Sequence, residues 1–527
     1  MTIITFIAFT LLVAVISYIA TRKTDETSAD GYFLGGRSLT ATVIAGSLLL
    51  TNLSTEQIVG LNGQSYSEGI LVMAWETLAA IAMVVTALFL LPRYLKGGLT
   101  TVPQFLEKRY DKGTKAITSA LFLSGYMVVL LPIVLYSGGL AISTMFNVSE
   151  AFGVSDTTAL WLCIWGIGII GSIYAIFGGL KAVAVSDTVN AVGLLIGGLM
   201  IPVFGLWAVG NGDILGGMTE LMDKLPEKFV AAGNSSSSIP FATIFTGMML
   251  VQVFYWGTNQ AIIQRALAAK NLKEGQKGLM LAAFIKILGP LMVVLPGIIA
   301  FYLFQDQITK PDEAYPTLVR EVLPASLVGF FAAVLFGAIL SSFNSALNSS
   351  VTLFGVDIYK EYINKEADEK TIVKKGKLFG IVLAVASMVI APFIANAPAG
   401  LFGYLQEVNG CYSIPILTII VVGYLTKRVP AIAAKVGILS GVILYSISQF
   451  ILKPYFGEEN YPHFLHVMAI LFVFNILIML LIGKIAPRKT DYIQEYTKQV
   501  DITPWKYVKV VGIAIVAIVI YTYIYFQ

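Results

Sequence analysis

The 527 residues are 57% hydrophobic and only 13% charged, with two cysteines, two histidines and a formal net charge of +4. Soluble domains carry roughly a quarter charged residues, so nearly uncharged runs recurring from end to end exclude a soluble protein and imply a polytopic membrane protein. Cys163 and Cys411 lie in apolar runs and suggest no disulfide framework, and two cysteines with two histidines make no metal cluster.

The chain opens with IITFIAFTLLVAVISYIA, followed by TRK. A signal peptide carries its positive residues first; here they follow, which reads as a retained span running from outside to inside. A crossing needs about 20 apolar residues. On that rule fourteen transmembrane helices are expected, at roughly 3–20, 41–68, 70–93, 115–146, 158–177, 184–207, 240–262, 279–304, 325–356, 374–395, 401–425, 430–452, 463–483 and 507–526. With the N-terminus outside, the inside loops collect 29 of the 35 Lys and Arg residues, the outside loops five, and Lys286 falls within a span. This asymmetry supports an even number of passes with both termini outside, in a bacterial-type inner (plasma) membrane. No soluble domain is visible. The outside loop 208–239 holds DILGGMTELMDKLPEKF, a short surface helix, then the turn material GNSSSSIP. Inside, VDIYKEYINKEADEKTIVKKGK reads as a solvated helical extension, and RKTDYIQEYTKQVDITPWKYVK as a polar linker before the last span.

Few ionisable groups fall inside the spans: Glu56, Glu76, Lys286 and, at a span's start, Asp187. Seven amides join them: Asn52, Gln57, Gln252, Asn259, Gln260, Gln406 and Asn409. Such groups are costly in lipid and face a cavity or a partner. Their spread over several spans favours a wet central cavity over a network that merely holds helices together.

Within LLLTNLSTEQIVG, residues 48–60, the polar TNLSTE interrupts an apolar run. Thr51, Asn52, Ser54 and Thr55 compete with the backbone for hydrogen bonds, which favours a break over an ordinary span with a polar face. A break frees carbonyls, which suit a hard cation such as Na⁺, and N–H groups, which suit a polar solute. Broken helices at the midplane mark secondary transporters. A second interruption is expected in VFYWGTNQAIIQR, residues 253–265, and a third in GAILSSFNSALNSS, residues 337–350, where close packing through small residues is the rival reading. The first two breaks open blocks of five spans, 41–207 and 240–425; an odd number inverts the second block relative to the first. Around them lie the first span with its inside loop (1–40), the outside loop (208–239) and three C-terminal spans (426–527).

DGYFLGGRSL (30–39), SLLLTNLSTEQIVGLNGQSY (47–66), TVPQFLEKRY (101–110), IFGGLKAVAVSD (176–187), FYWGTNQAIIQRALAAK (254–270), AAFIKILGP (282–290), FGAILSSFNSALNSS (336–350), DIYKEY (357–362) and GYLQEVNG (403–410) together resemble the sodium:solute symporter family, most nearly the bacterial sodium/galactose type of sodium/glucose cotransporter. The resemblance implies an all-α membrane protein with a leucine-transporter-type core of two inverted five-helix repeats and discontinuous helices. It implies a sodium site on the carbonyls of Leu50, Leu53 and Ala338 and the hydroxyls of Ser341 and Ser342. It implies a sugar site at Gln57, Glu76, Lys286 and Gln406, with Asn52, Gln252, Asn259 and Asn409 completing the shell and Tyr255 stacked on the sugar as inner gate beside Trp256. Asp187, with Ser345, falls on the sodium exit path or a second sodium site.

Several positions depart from the sodium/galactose pattern. Leu130 replaces an asparagine, Ala79 a serine, Gln252 an asparagine, Asn409 a threonine and Asn344 a serine; Phe254 stands for a gating tyrosine, and Trp75 precedes Glu76. The expected function is sodium-coupled symport of a monosaccharide by alternating access, with one sodium per cycle. Symport of another polyhydroxy solute, such as myo-inositol or a nucleoside, is the alternative. The implied partners are sodium, a small neutral sugar and the lipid bilayer, with no nucleic acid and no cofactor beyond the coupling ion; oligomeric state is left open. No nucleophile or metal set points to an enzyme.

Overall fold

The computed structural model describes residues 2–21, 29–308, 310–396 and 401–527; Arg22 and Lys23 of the first inside loop lie outside them. The described residues are helical or irregular, with a lone bridge between Leu39 and Ala269.

Among the described residues ten helices are long and apolar enough to cross a membrane, and eleven count if the pair Leu272–Ile287 and Gly289–Phe304, bent by 50°, is one span. This is fewer than the fourteen passes the sequence predicts, because several predicted spans are not single long rods. Ile4–Ile19 is short, and 41–68 is split into Ala41–Asn52 and Thr55–Glu68. The segment 240–262 contributes Gly247–Gly257 and Gln260–Leu267. Conversely, Thr55–Lys96 reads as one apolar run of 42 residues, about twice the length one crossing needs, and is interrupted at Gly69, whose φ of +84° few other residues adopt.

The first break is two residues wide. Leu53 N–H closes the preceding helix on Leu49 O at 2.7 Å, and Ser54 is extended (φ −85°, ψ 178°). Ser54 O then accepts Ile58 N–H at 2.9 Å and starts the next helix, whose first turn carries Glu56 where the helix dipole favours an anion. At the second break Asn259 starts the new helix: its Oδ1 accepts Ala261 N–H at 3.0 Å and caps Gln260–Leu267. The third expected interruption does not occur. Ala325–Thr352 is continuous through 337–350, because its serines bond without leaving the helix: Ser350 Oγ donates to Ala346 O at 2.8 Å, and others bond to neighbouring helices. The small residues serve close packing instead, with Gly337 lying against the Asn190 side chain.

Ile214–Lys224 is the short helix expected in the 208–239 loop, and the linker before the last span is irregular through residue 505. The charged stretch after residue 356 is helical to Ile363, then interrupted before Glu369–Ile390.

Two large apolar clusters fill the bundle, with their boundary passing between Leu49 and Leu50 and between Leu78 and Ala79. Thr51, Glu76 and Gln252 lie close to that boundary in the chain. Ala41–Asn52 and Ala74–Val85 both pack on Leu272–Ile287, and Ala74–Val85 also packs on Gly247–Gly257. At one end of the bundle the buried Arg109 guanidinium donates to Gly423 O (2.8 Å), Thr426 O (3.0 Å) and Val429 O (3.0 Å), at the foot of Leu401–Leu425. At the other, Lys228 Nζ caps Thr55–Glu68 through Tyr66 O (2.9 Å) and Ser67 O (2.6 Å).

Candidate ion and solute site

Ala74–Val85 presents Glu76, and the last turn of Leu272–Ile287 presents Lys286. Lys286 Nζ lies 2.6 Å from Glu76 Oε1 and 2.5 Å from Oε2, and Gln57 Nε2 donates to Oε1 at 2.8 Å. The carboxylate is 0% exposed and the lysine 1%. Gly289 makes room for the pair, since a Cβ there would collide with Glu76 Oε2. Gln252 braces the adjoining wall: its Nε2 donates to Trp75 O at 2.8 Å and its Oε1 accepts Trp256 Nε1–H at 3.2 Å. The Lys286 ammonium also stands 5.8 Å from the centre of the Trp256 ring.

The remaining residues expected around the solute are less closely joined. Tyr255 is half-buried, its ring edge-on to Trp256 with centroids 5.3 Å apart. Gln406 and Asn409 are half-buried on Leu401–Leu425, which packs against Gly247–Gly257. Asn409 Oδ1 accepts the Tyr412 hydroxyl. Asn259, besides capping its helix, accepts the Tyr126 hydroxyl at 2.8 Å. Asn52 Oδ1 and Thr55 Oγ1 are buried at the first break with no hydrogen-bond partner among the described residues, while the Ser54 hydroxyl and the Glu56 carboxylate lie against each other. Buried polar atoms are nearly always paired within a protein or by water, so the two orphans mark ground suited to a polar ligand.

The serine-rich helix meets the same break. Ser342 Oγ donates to Thr51 O at 2.8 Å, and Thr51 Oγ1 lies 3.0 Å from Ser345 Oγ and 3.4 Å from Ser341 Oγ. Ser54 N–H turns to Asn52 O at 2.8 Å, so among the described residues no backbone N–H beyond the break reaches the Leu50 or Leu53 carbonyl. Ala338 lies buried on the serine helix, one turn before Ser341 and Ser342. Carbonyl and hydroxyl oxygens of this kind are the ligands a hard monovalent cation takes.

Asp187 is buried beside this region and accepts the Ser47 hydroxyl at 2.7 Å. Sequence reasoning named Thr51 only as a helix breaker and missed Ser47 and, above all, Arg265. Counted among the basic residues of an inside loop, Arg265 is instead 0% exposed. Its Nε donates to Ser47 Oγ at 3.2 Å, and its terminal nitrogens to Ser345 Oγ and Ala261 O. The available signal was its position within one short turn of the apolar AII and AL segments that follow the second break.

Residues 32–442 match the sodium:solute symporter family. The "Uncharacterized symporter YidK" of Escherichia coli (strain K12) is 49% identical over 521 residues, covering 99% of this chain and 90% of the relative. The "Sodium/glucose cotransporter" of Vibrio parahaemolyticus is 33% identical, covering 80% and 79%. The "Sodium/myo-inositol cotransporter 2" of Sus scrofa is 30% identical, covering 83% and 68%. The chain is thus nearer to the E. coli symporter than to the sodium/glucose cotransporter, which corrects the emphasis of the motif reading. A Na⁺-coupled sialic acid symporter, solved in a substrate-bound outward-open state, shares the fold with a TM-score of 0.78 at 19% identity, covering 93% of this chain and 98% of that one. The matched region contains both helix breaks, the buried Glu76–Lys286 pair and the serine helix, and the chain belongs to the sodium:solute symporter family: it is a multi-pass membrane transporter whose coupling ion is sodium.

Proposed function

We propose that this protein moves a neutral polyhydroxy solute, a monosaccharide or a cyclitol such as myo-inositol, into the cell together with sodium. The observation that carries this reading is the closed charge balance of the solute wall: Lys286 and Gln57 satisfy the Glu76 carboxylate at 2.5–2.8 Å. A solute entering there finds strong donors and acceptors but no net charge to pair with an anion. Hydroxyl groups both donate and accept, so a ring polyol can insert into the Gln57–Glu76–Lys286 set, with amides such as Gln406 doing the same from the facing helix. An aromatic face such as Tyr255 suits the apolar face of the ring. The sodium/glucose and sodium/myo-inositol cotransporters among the relatives support this solute class.

In this reading Leu50, Leu53, Ala338, Ser341 and Ser342 hold sodium. Asn52, Gln57, Glu76, Gln252, Tyr255, Asn259, Lys286, Gln406 and Asn409 surround the solute, Tyr255 and Trp256 form the inner gate, and Asp187 lies on the ion's way out. The chain crosses a bacterial-type plasma membrane fourteen times with both ends outside, around two inverted five-helix repeats. Sodium orders the first break from outside, the solute follows, the outer side closes, and release inward begins when the gate moves. An inward potential of 100 mV contributes about 2.3 kcal/mol per charge, and a tenfold sodium gradient about 1.4 kcal/mol. One ion therefore supports roughly 500-fold accumulation with tight coupling. Sodium-driven uptake into proteoliposomes, against radiolabelled hexoses, inositols, nucleosides and organic acids, tests the reading. Accumulation of an acid in preference to every polyol would overturn it.

A further inference from the structure

The polar chain at the ion site contains a group with no part in the transport cycle just described. Arg265 sits on the eight-residue helix Gln260–Leu267 and is fully buried. On one side its Nε reaches Ser47 Oγ at 3.2 Å, and that hydroxyl gives its own proton to Asp187 Oδ2 at 2.7 Å. On the other side its Nη2 donates to Ser345 Oγ, which lies 3.0 Å from Thr51 Oγ1; Thr51 Oγ1 lies 3.4 Å from Ser341 Oγ. A permanent positive charge is thus one hydroxyl away from a buried carboxylate and two hydroxyls away from Ser341. Arginine does not give up its proton in proteins, and a buried carboxylate left without a counter-charge is strongly disfavoured.

We propose that Arg265 is a tethered cation that stands in for sodium in the empty carrier. With no ion bound, its guanidinium offsets Asp187 through Ser47 and holds Ser345, so the carrier returns without an uncompensated buried carboxylate. Sodium entering among the serines repels the guanidinium, loosens its hold on Ser345, and draws on Asp187 in its place. The two cations alternate. This inference rests on the proposed sodium site but makes a separate demand. Net uptake includes the return of the empty carrier and depends on Arg265. Solute exchange, in which the carrier stays loaded, does not include that step.

The test uses the full-length protein in proteoliposomes, with radiolabelled glucose and myo-inositol as probes, measuring net sodium-driven uptake and exchange on the same preparation. Arg265→Gln should lower the ratio of net uptake to exchange tenfold or more, because a buried carboxylate left without its counter-charge is strongly disfavoured. Arg265→Lys, which keeps the charge, should hold the ratio near the native value. Combining Arg265→Gln with Asp187→Asn, which removes both charges, should raise the ratio above that of Arg265→Gln alone, although the loss of Asp187 alters sodium handling in its own right. Net uptake and exchange falling together in Arg265→Gln, an unchanged ratio there, or a collapsed ratio in Arg265→Lys would each overturn the proposal. If the glutamine variant fails to reach the membrane, the lysine variant decides the matter by the same ratio. Replacing sodium by choline with the native protein separates the two readings: choline-supported uptake refutes the sodium site itself, whereas sodium-dependent uptake with an unmoved ratio refutes only the role of Arg265.

Discussion

Replacing Lys286 by methionine would leave the Glu76 carboxylate in place with the Gln57 amide as its one remaining side-chain donor among the described residues. The ammonium now touches both carboxylate oxygens at 2.5–2.6 Å, with exposures of 1% and 0%. Removing one partner of such a pair costs about 3–5 kcal/mol, because the survivor's charge stays buried and uncompensated. Removing both, as in Glu76→Leu with Lys286→Met, eliminates that charge. What then remains is the buried Gln57 amide without its acceptor, a loss of about 1–3 kcal/mol. The double variant should therefore be more stable than the single by about 2 kcal/mol, while both fail to bind solute. Unfolding in detergent can be followed by tryptophan fluorescence, since Trp75 and Trp256 flank the site through Gln252, and solute binding by quenching of the same signal. A single variant as stable as the native protein, or a double variant no better than the single, would refute the mutual dependence of Glu76 and Lys286 inside the bundle.

Gly289→Ala should weaken solute binding about tenfold or more with normal membrane insertion, because the added methyl displaces the Glu76 carboxylate; an unchanged half-saturating solute concentration would show that the carboxylate has room to spare. Ser342→Ala removes a hydroxyl from the proposed ion site and the 2.8 Å bond to Thr51 O. About 1 kcal/mol lost there should raise the sodium needed for half-maximal uptake roughly fivefold, and an unaltered sodium dependence would remove Ser342 from the site. His463 predicts a pH effect. Burial first, then the neighbouring charges of His466 and Lys453, push its imidazole from 6.5 down to about 4, while its Nδ1 accepts Leu465 N–H at 3.4 Å as a helix cap. The folded-state value lies below the ordinary one, so this contribution to stability is complete above about pH 6.5 and declines as the pH falls toward 4. His463→Asn, which still caps, should flatten thermal stability across that window; an equally steep profile in the variant would place the acid sensitivity elsewhere.

The first break was legible because Asn52, Ser54, Thr55 and Glu56 are poor continuations of an apolar helix and good starters of a new one. Glu76 and Lys286 were legible for a different reason: each is a charge in the middle of an apolar run, and lipid leaves such groups little choice but a partner. Arg265 was not legible. Counting hydropathy along the chain places it beyond an apolar run, in a loop. The second break shortens that run, and the eight-residue helix after Asn259 carries the arginine back into the bundle. The serines of 337–350 misled in the opposite direction, since hydroxyls that suggest a break are also satisfied by helix carbonyls and by neighbouring helices. The number of passes suffers from the same ambiguity: apolar length measures rods, and a broken span is two short rods.

Arg109 gives the helix that bears Gln406 and Asn409 a fixed foot. One planar side chain grips three carbonyls there, tying Val102–Arg109 to the last turn of Leu401–Leu425 and the loop after it. Gln406 lies seventeen residues up from Gly423, about 25 Å at 1.5 Å per residue, and Pro415 falls between them inside the helix. A proline there removes one helix hydrogen bond and leaves the rod free to bend. The foot therefore stays gripped while the stretch bearing Gln406 and Asn409 has a hinge of its own, which in the proposed transport cycle lets those amides swing without disturbing the anchor.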